Sequence, residues 1–113
     1  MNVKVTTKIT DNRIPMIVGA FPGLMEQVVE KTAFDIEATA KELAPVDTGY
    51  LAGTIWTDNQ GLRAEVQTVA EYAAYVEYGT YKMAAQPYMR RAADMHEPKF
   101  TQAIDAAVKS LMG

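Results

Sequence analysis

Pro22-Gly-Leu-Met-Glu-Gln-Val-Val-Glu-Lys-Thr-Ala-Phe-Asp-Ile-Glu-Ala-Thr-Ala-Lys-Glu-Leu-Ala44 is the stretch on which the fold turns. Met25, Val28, Val29, Thr32, Ile36, Ala40 and Leu43 recur in it at spacings of three and four, which gathers them into one stripe of a helix. Glu26, Gln27, Glu30, Lys31, Glu37, Lys41 and Glu42 occupy the remaining surface. Pro22 suits a first helical position. Pro45 ends the helix, because the residue before a proline is pushed out of the helical region. Burying such a stripe is worth roughly 1.5–3 kcal/mol per large side chain, so the helix must lie on a partner. Phe34 departs from the pattern. It falls nearly opposite the stripe, among Gln27, Glu30, Glu37 and Lys41. A lone surface aromatic is ordinary; the sharper reading is a contact with another subunit.

Outward from this helix the partner comes into view. Residues 45–49, Pro-Val-Asp-Thr-Gly, form a turn. Leu51 to Thr57 reads as a strand, and Asp58-Asn59-Gln60-Gly61 as a turn with Gly61 in a left-handed position. Leu62, Ala64, Val66 and Thr68 then alternate with Arg63, Glu65 and Gln67, a strand with one wet face that completes a hairpin. Upstream, Val3, Val5, Thr7 and Ile9 alternate over residues 3–9, a further strand that Asp11-Asn12 breaks. Residues 13–21 are ambiguous and have room for a turn of helix.

Downstream, Thr68 and Glu71 have capping-box spacing and Gly79 fits a helix C-cap, so a short helix is expected over about 69–78. Tyr72, Tyr75 and Val76 share one of its faces. Thr80 to Gln86 is a loop or edge strand. Phe100, Ile104, Ala107, Val108 and Leu111 line a last helix from Pro87 to Met112, with a kink or restart expected at Pro98. The expectation is an α+β fold in one domain over residues 1–113. A small antiparallel or mixed sheet of three to four strands carries a long N-terminal helix and a C-terminal helix.

Composition narrows the function. Hydrophobic residues at 49 % and charged residues at 22 % describe a globular chain. A net charge of −3 argues against general affinity for nucleic acid or anionic membranes. No apolar run is long enough for a bilayer span, and the first residues lack a signal-peptide layout. Cysteine is absent, which removes disulfide and thiolate chemistry; the cytoplasm is the natural folding compartment.

Chemistry is hard to assemble from what remains. The single histidine, His96, stands beside Glu97 with no second ligand or nucleophile near it in sequence, and reads as a surface or core-edge residue. Asp47, Glu71 and Glu77 are carboxylates near bends, where acid–base work or calcium binding is conceivable. Turn formation by Asp47 and capping by Glu71 are the plainer roles. No Asp-rich calcium loop and no Gly-rich phosphate loop is present. No cofactor, metal or catalytic residue is assigned. Arg90-Arg91, with Lys82 nearby, is the basic cluster. With Tyr81 and Tyr88 it has something of a nucleic-acid surface; the acidic total favours salt bridging to a neighbour's acidic helix.

The unusual feature is aromatic. Tyr72, Tyr75, Tyr78, Tyr81 and Tyr88 are five of the chain's six tyrosines. Tyrosine combines an apolar body, a polar tip and little rotamer entropy, which suits protein interfaces. Met83 and Met89 lie in the same stretch and adapt to irregular partners. The rings could equally cap the chain's own core, and composition does not divide the two.

Ala44-Pro-Val-Asp-Thr-Gly-Tyr-Leu51, then a hairpin, then Tyr72-Ala-Ala-Tyr-Val-Glu-Tyr-Gly-Thr80 and Lys82-Met-Ala-Ala-Gln-Pro-Tyr-Met-Arg90 resemble the tail-completion, or head–tail joining, proteins of long-tailed bacteriophages. The resemblance spans about residues 22–112. Ala74 stands where that family commonly has proline, and Tyr81 where it has a basic residue. The resemblance implies a non-enzymatic structural protein of the virion neck, made and assembled in the host bacterial cytoplasm. Such proteins form a ring with copies of themselves, generally sixfold, between the head-side connector and the tail tube or tail terminator. DNA crosses the channel without specific binding.

A closing ring needs two different patches per subunit. The tyrosine-rich stretch and the Phe34 face are the candidates, and the acid-rich face of helix 22–44 is a candidate channel lining. Loops 45–50 and 79–87 are placed to rearrange on docking. The candidate interface residues are Phe34, Asp47, Tyr50, Tyr75, Tyr78, Tyr81, Lys82, Tyr88, Arg90 and Arg91. The alternatives are another small phage adaptor, such as a head-side connector or tail terminator, a small nuclease or hydrolase, and a nucleic-acid-binding module at Arg90 and Arg91.

Overall fold

The computed structural model describes residues 5–9, 13, 17, 19, 23–44, 53–68 and 73–112. The elements are β1 (Val5–Ile9), α1 (Leu24–Leu43), β2 (Trp56–Asn59), β3 (Ala64–Thr68), α2 (Ala73–Tyr78) and α3 (Tyr88–Met112). The fold is α+β, with a three-stranded antiparallel sheet in the order β1-β3-β2. β3 is therefore central. Val5, Thr7 and Ile9 of β1 stand opposite Thr68, Val66 and Ala64, and Trp56 to Asn59 of β2 run opposite Gln67 to Ala64.

The long helix begins at Leu24, with Gly23 at φ 86° before it, so Leu24 takes the first helical position expected of Pro22. It stops as expected: Ala44, before Pro45, is extended at φ −63° and ψ 141°. The buried side is Met25, Val29, Ala33, Ile36 and Ala40. Compared with the expected stripe it gains Ala33, and it leaves Val28 and Thr32 half-buried and Leu43 exposed. Among the described elements, α1 packs most extensively on α3. Ala33 and Ala40 on α1 and Ala92 on α3 are all fully buried. Thr39 and His96 join the two helices at one edge, with Oγ1 and Nε2 2.7 Å apart.

Three strand expectations change. Gly53 and Thr54 are helical and Ile55 is irregular, so β2 starts at Trp56 rather than Leu51; Leu51 itself lies outside the described residues. β2 also runs on to Asn59. The connection is then the pair Gly61-Leu62 inside Gln60 and Arg63, with the Gln60 N–H donating to the Arg63 carbonyl at 2.8 Å. Gly61 has φ 81° and Leu62 a negative φ, the signs of a type II′ turn, and Asn59 Oδ1 accepts the Gly61 N–H at 3.0 Å. Lastly, Gln67 is buried rather than wet, and its Oε1 lacks a hydrogen-bond partner among the described residues. Thr68 ends β3, with its hydroxyl 2.7 Å from that of Thr54; Glu71, its partner in the expected capping box, lies outside the described residues.

α3 runs unbroken from Tyr88 to Met112 through Pro98, without the expected restart. Proline removes the N–H that would reach the Asp94 carbonyl. Asp94 and Pro98 are both exposed, so water can take that carbonyl. Phe100, Ile104 and Ala107 are buried, and Val108 and Leu111 pack against them, as the spacing predicts.

Candidate assembly surface

The segment from Ala73 to Arg91 is one compact unit, and its geometry follows from Glu77. This carboxylate is buried at 4 % exposure. It accepts the backbone N–H of Met89 at 2.9 Å and of Arg90 at 3.0 Å. Those groups belong to the first turn of α3, where helical N–H donors have no partner within the helix. Pro87 precedes the helix and has no side-chain oxygen to cap it. Glu77, a dozen residues away, does the capping, and its charge faces the positive end of the helix dipole. Burial pushes its pKa above the ordinary value of 4.5, against the lowering influence of the Arg90 and Met89 N–H groups and of the Arg90 and Arg91 charges.

Gly79 makes the turn out of α2. It has φ 78°, and its N–H donates to the Tyr75 carbonyl at 2.8 Å, a helix C-cap as expected. A Cβ there would stand 2.8 Å from the Ala85 nitrogen and 2.9 Å from the Met83 carbonyl oxygen. The chain then folds into a two-residue hairpin. Thr80 and Met83 exchange backbone hydrogen bonds of 2.8 and 3.2 Å, and the Thr80 hydroxyl accepts the Lys82 N–H at 3.2 Å. The Gln86 N–H returns the chain to the Val76 carbonyl at 2.7 Å.

This frame holds an aromatic surface outward. Tyr81, at the hairpin tip, is 93 % exposed, Tyr78 72 % and Tyr75 58 %. The Lys82 ammonium lies 5.4 Å from the Tyr81 ring centroid, within cation–π range. Arg90 and Arg91 are exposed on the adjoining turn of α3. Tyr88 is corrected: it is 1 % exposed and its hydroxyl donates to the Ala73 carbonyl at 3.4 Å, so it serves the core. Met89 is buried too, while Met83 is partly exposed. Asp47, Tyr50 and Tyr72 lie outside the described residues.

Phe34 is half-exposed on α1, on the side away from the core. Sequence reasoning passed over Trp56 and Met95, which are 47 % and 60 % exposed. Trp56 shares a sheet face with Gln67 and exposed Thr6, its neighbours across the strands. Among the described residues, no group of three or more His, Cys, Asp or Glu side chains could hold a metal ion. No helix among them is long and apolar enough to cross a membrane.

A model of a protein family, described as "Bacteriophage HK97-gp10, putative tail-component", matches residues 18–79, more than half of the chain. The chain belongs to the HK97 gp10-like family. It is thereby a structural component of bacteriophage tails, and its place is the virion. No curated protein and no solved structure matches the chain. The HK97 gp10-like match takes in α1, the β2–β3 hairpin and α2, and it ends at Gly79. The capping carboxylate of Glu77 thus lies within the family match, and the helix end that it caps lies beyond it.

Proposed function

We propose that this chain is a neck protein of the phage virion. It forms a ring of its own copies between the head-side connector and the tail tube, completes the tail, and leaves a channel for DNA. The observation that carries the reading is the outward-held aromatic end of the molecule. Tyr75, Tyr78 and Tyr81 are exposed on a segment whose backbone is fastened by Glu77 and Gly79. Rings presented on a rigid frame lose little entropy on docking, the arrangement that favours a protein partner. The tail-component family supports the same reading. The elongated shape, 54 × 21 × 20 Å, gives two well-separated ends with which to contact different neighbours.

Electron microscopy of intact particles carrying a labelled copy of the chain tests the reading. The expected result is density at the head–tail junction, in several copies about the channel. Label at the distal tail tip, or a single copy per particle, overturns it.

A further inference from the structure

We propose that the hairpin end of one copy docks head-to-tail on the Phe34 face of α1 in a second copy. Tyrosine rings meet Phe34, and cations meet carboxylates. The proposal rests on the assembly reading above and names the two surfaces involved.

Charge accounting points to this pairing. Lys82 lies beside the Tyr81 ring, and Arg90 and Arg91 stand on the first turn of α3; all three are exposed and form no ion pair among the described residues, although the charges of Arg90 and Arg91 also act on the buried Glu77 carboxylate. On α1 the cations are already engaged: Lys31 with Asp35 at 2.9 Å and Lys41 with Glu37 at 3.6 Å. Glu30, one turn before Phe34, and Glu26, a turn earlier with its carboxylate beside Gly61 of the β2–β3 turn, are exposed and form no such pair among the described residues. The Phe34 face therefore carries unpaired negative charge and the hairpin end unpaired positive charge.

This asymmetry selects the geometry. Packing the hairpin end on itself would bring six cations together, two copies of Lys82, Arg90 and Arg91, with only the two buried Glu77 carboxylates to offset them. Packing the Phe34 face on itself would bring its acids together. Like charges across an interface cost several kcal/mol, so both two-fold arrangements are disfavoured. The remaining contact joins unlike patches, and a contact of that kind builds rings or filaments rather than closed dimers. It also covers the acidic face, which removes that face from the channel wall.

Sedimentation equilibrium of the full-length chain, at low and high salt, tests the pairing. Lys82→Glu with Arg91→Glu reverses one patch, and Glu26→Arg with Glu30→Arg reverses the other. Arg90 is spared because its backbone N–H binds Glu77. Unchanged thermal melting establishes that each variant folds; Lys82→Glu alone, on the hairpin tip, is the fallback for the first. Each reversal should weaken self-association roughly tenfold or more, and the chain carrying all four changes should recover most of it. Wild-type association should also weaken as salt screens the charges. A wild-type chain that stays monomeric, reversals without effect, or a fourfold variant as weak as its parents overturns the pairing. In the particle images, a chain still found at the junction after such a result leaves the neck reading standing. Absence from the junction with the pairing intact removes the neck reading alone.

Discussion

Glu77 ties the two ends of the aromatic segment together, so its chemistry can be separated by substitution. Glu77→Ala leaves the buried Met89 N–H and the part-buried Arg90 N–H without their partner, which should cost about 1–3 kcal/mol in chemical denaturation. Glu77→Gln keeps an accepting oxygen and removes the buried charge. Because burial raises the folded pKa, the folded state holds this proton more tightly than the unfolded chain does. The stabilisation from that proton is complete below 4.5 and fades as pH rises through the folded value. Wild type should therefore gain stability relative to Glu77→Gln as pH falls from neutral toward 4.5; a pH-independent difference would refute this. Gly79 is constrained by a different force. Its left-handed conformation costs a substituted residue about 1–2 kcal/mol, and a Cβ would also press on the backbone at Ala85 and Met83. Gly79→Ala should destabilise by more than the conformational cost alone, measured by urea unfolding.

Among the elements, α1 and α3 show where local preference and packing diverge. Proline in a helix interior costs about 3 kcal/mol in lost hydrogen bonding and ring clash. The expected restart at Pro98 followed from that number. The helix continues because it is anchored by buried residues on both sides of the proline, Met89 and Ala92 before it and Phe100, Ile104 and Ala107 beyond it, although residues 93–99 between them are exposed or half-buried. Pro98→Ala should then raise the melting temperature, with a gain of up to about 3 kcal/mol. No gain would mean that the helix already accommodates the ring without loss. The rotation of the α1 stripe toward Ala33 has a related origin. Apolar spacing weighs large residues and so passes over Ala33, which the tertiary packing buries completely.

At the scale of the whole molecule the shape matters most. The Cα radius of gyration is 15.8 Å, against roughly 13 Å for a compact chain of this length. An elongated subunit buries less of itself and leaves more surface for its neighbours. Phe34 is the cleanest probe, being half-exposed and outside the core. Phe34→Asp should change monomer stability by no more than about 0.5 kcal/mol and should abolish or strongly weaken self-association in sedimentation. Intact association in that variant would remove α1 from the contact.

Periodicity made α1, the hairpin and the stripe of α3 readable in the amino-acid order, because a side chain's burial repeats with the geometry of its own element. Phe34 was legible as an outward residue for the same reason, and Gly79 as a cap because few residues tolerate its φ. Strand order, the burial of Gln67 and Tyr88, and the capping of α3 by Glu77 were decided only in three dimensions. Each depends on which remote segment lies alongside, and spacing along the chain carries no record of that. A tyrosine at position 88 and one at position 81 look alike in composition. One, at the start of α3 where Glu77 caps the helix, lies against the Ala73 carbonyl, and the other stands in solvent at the tip of the hairpin that follows the Gly79 turn.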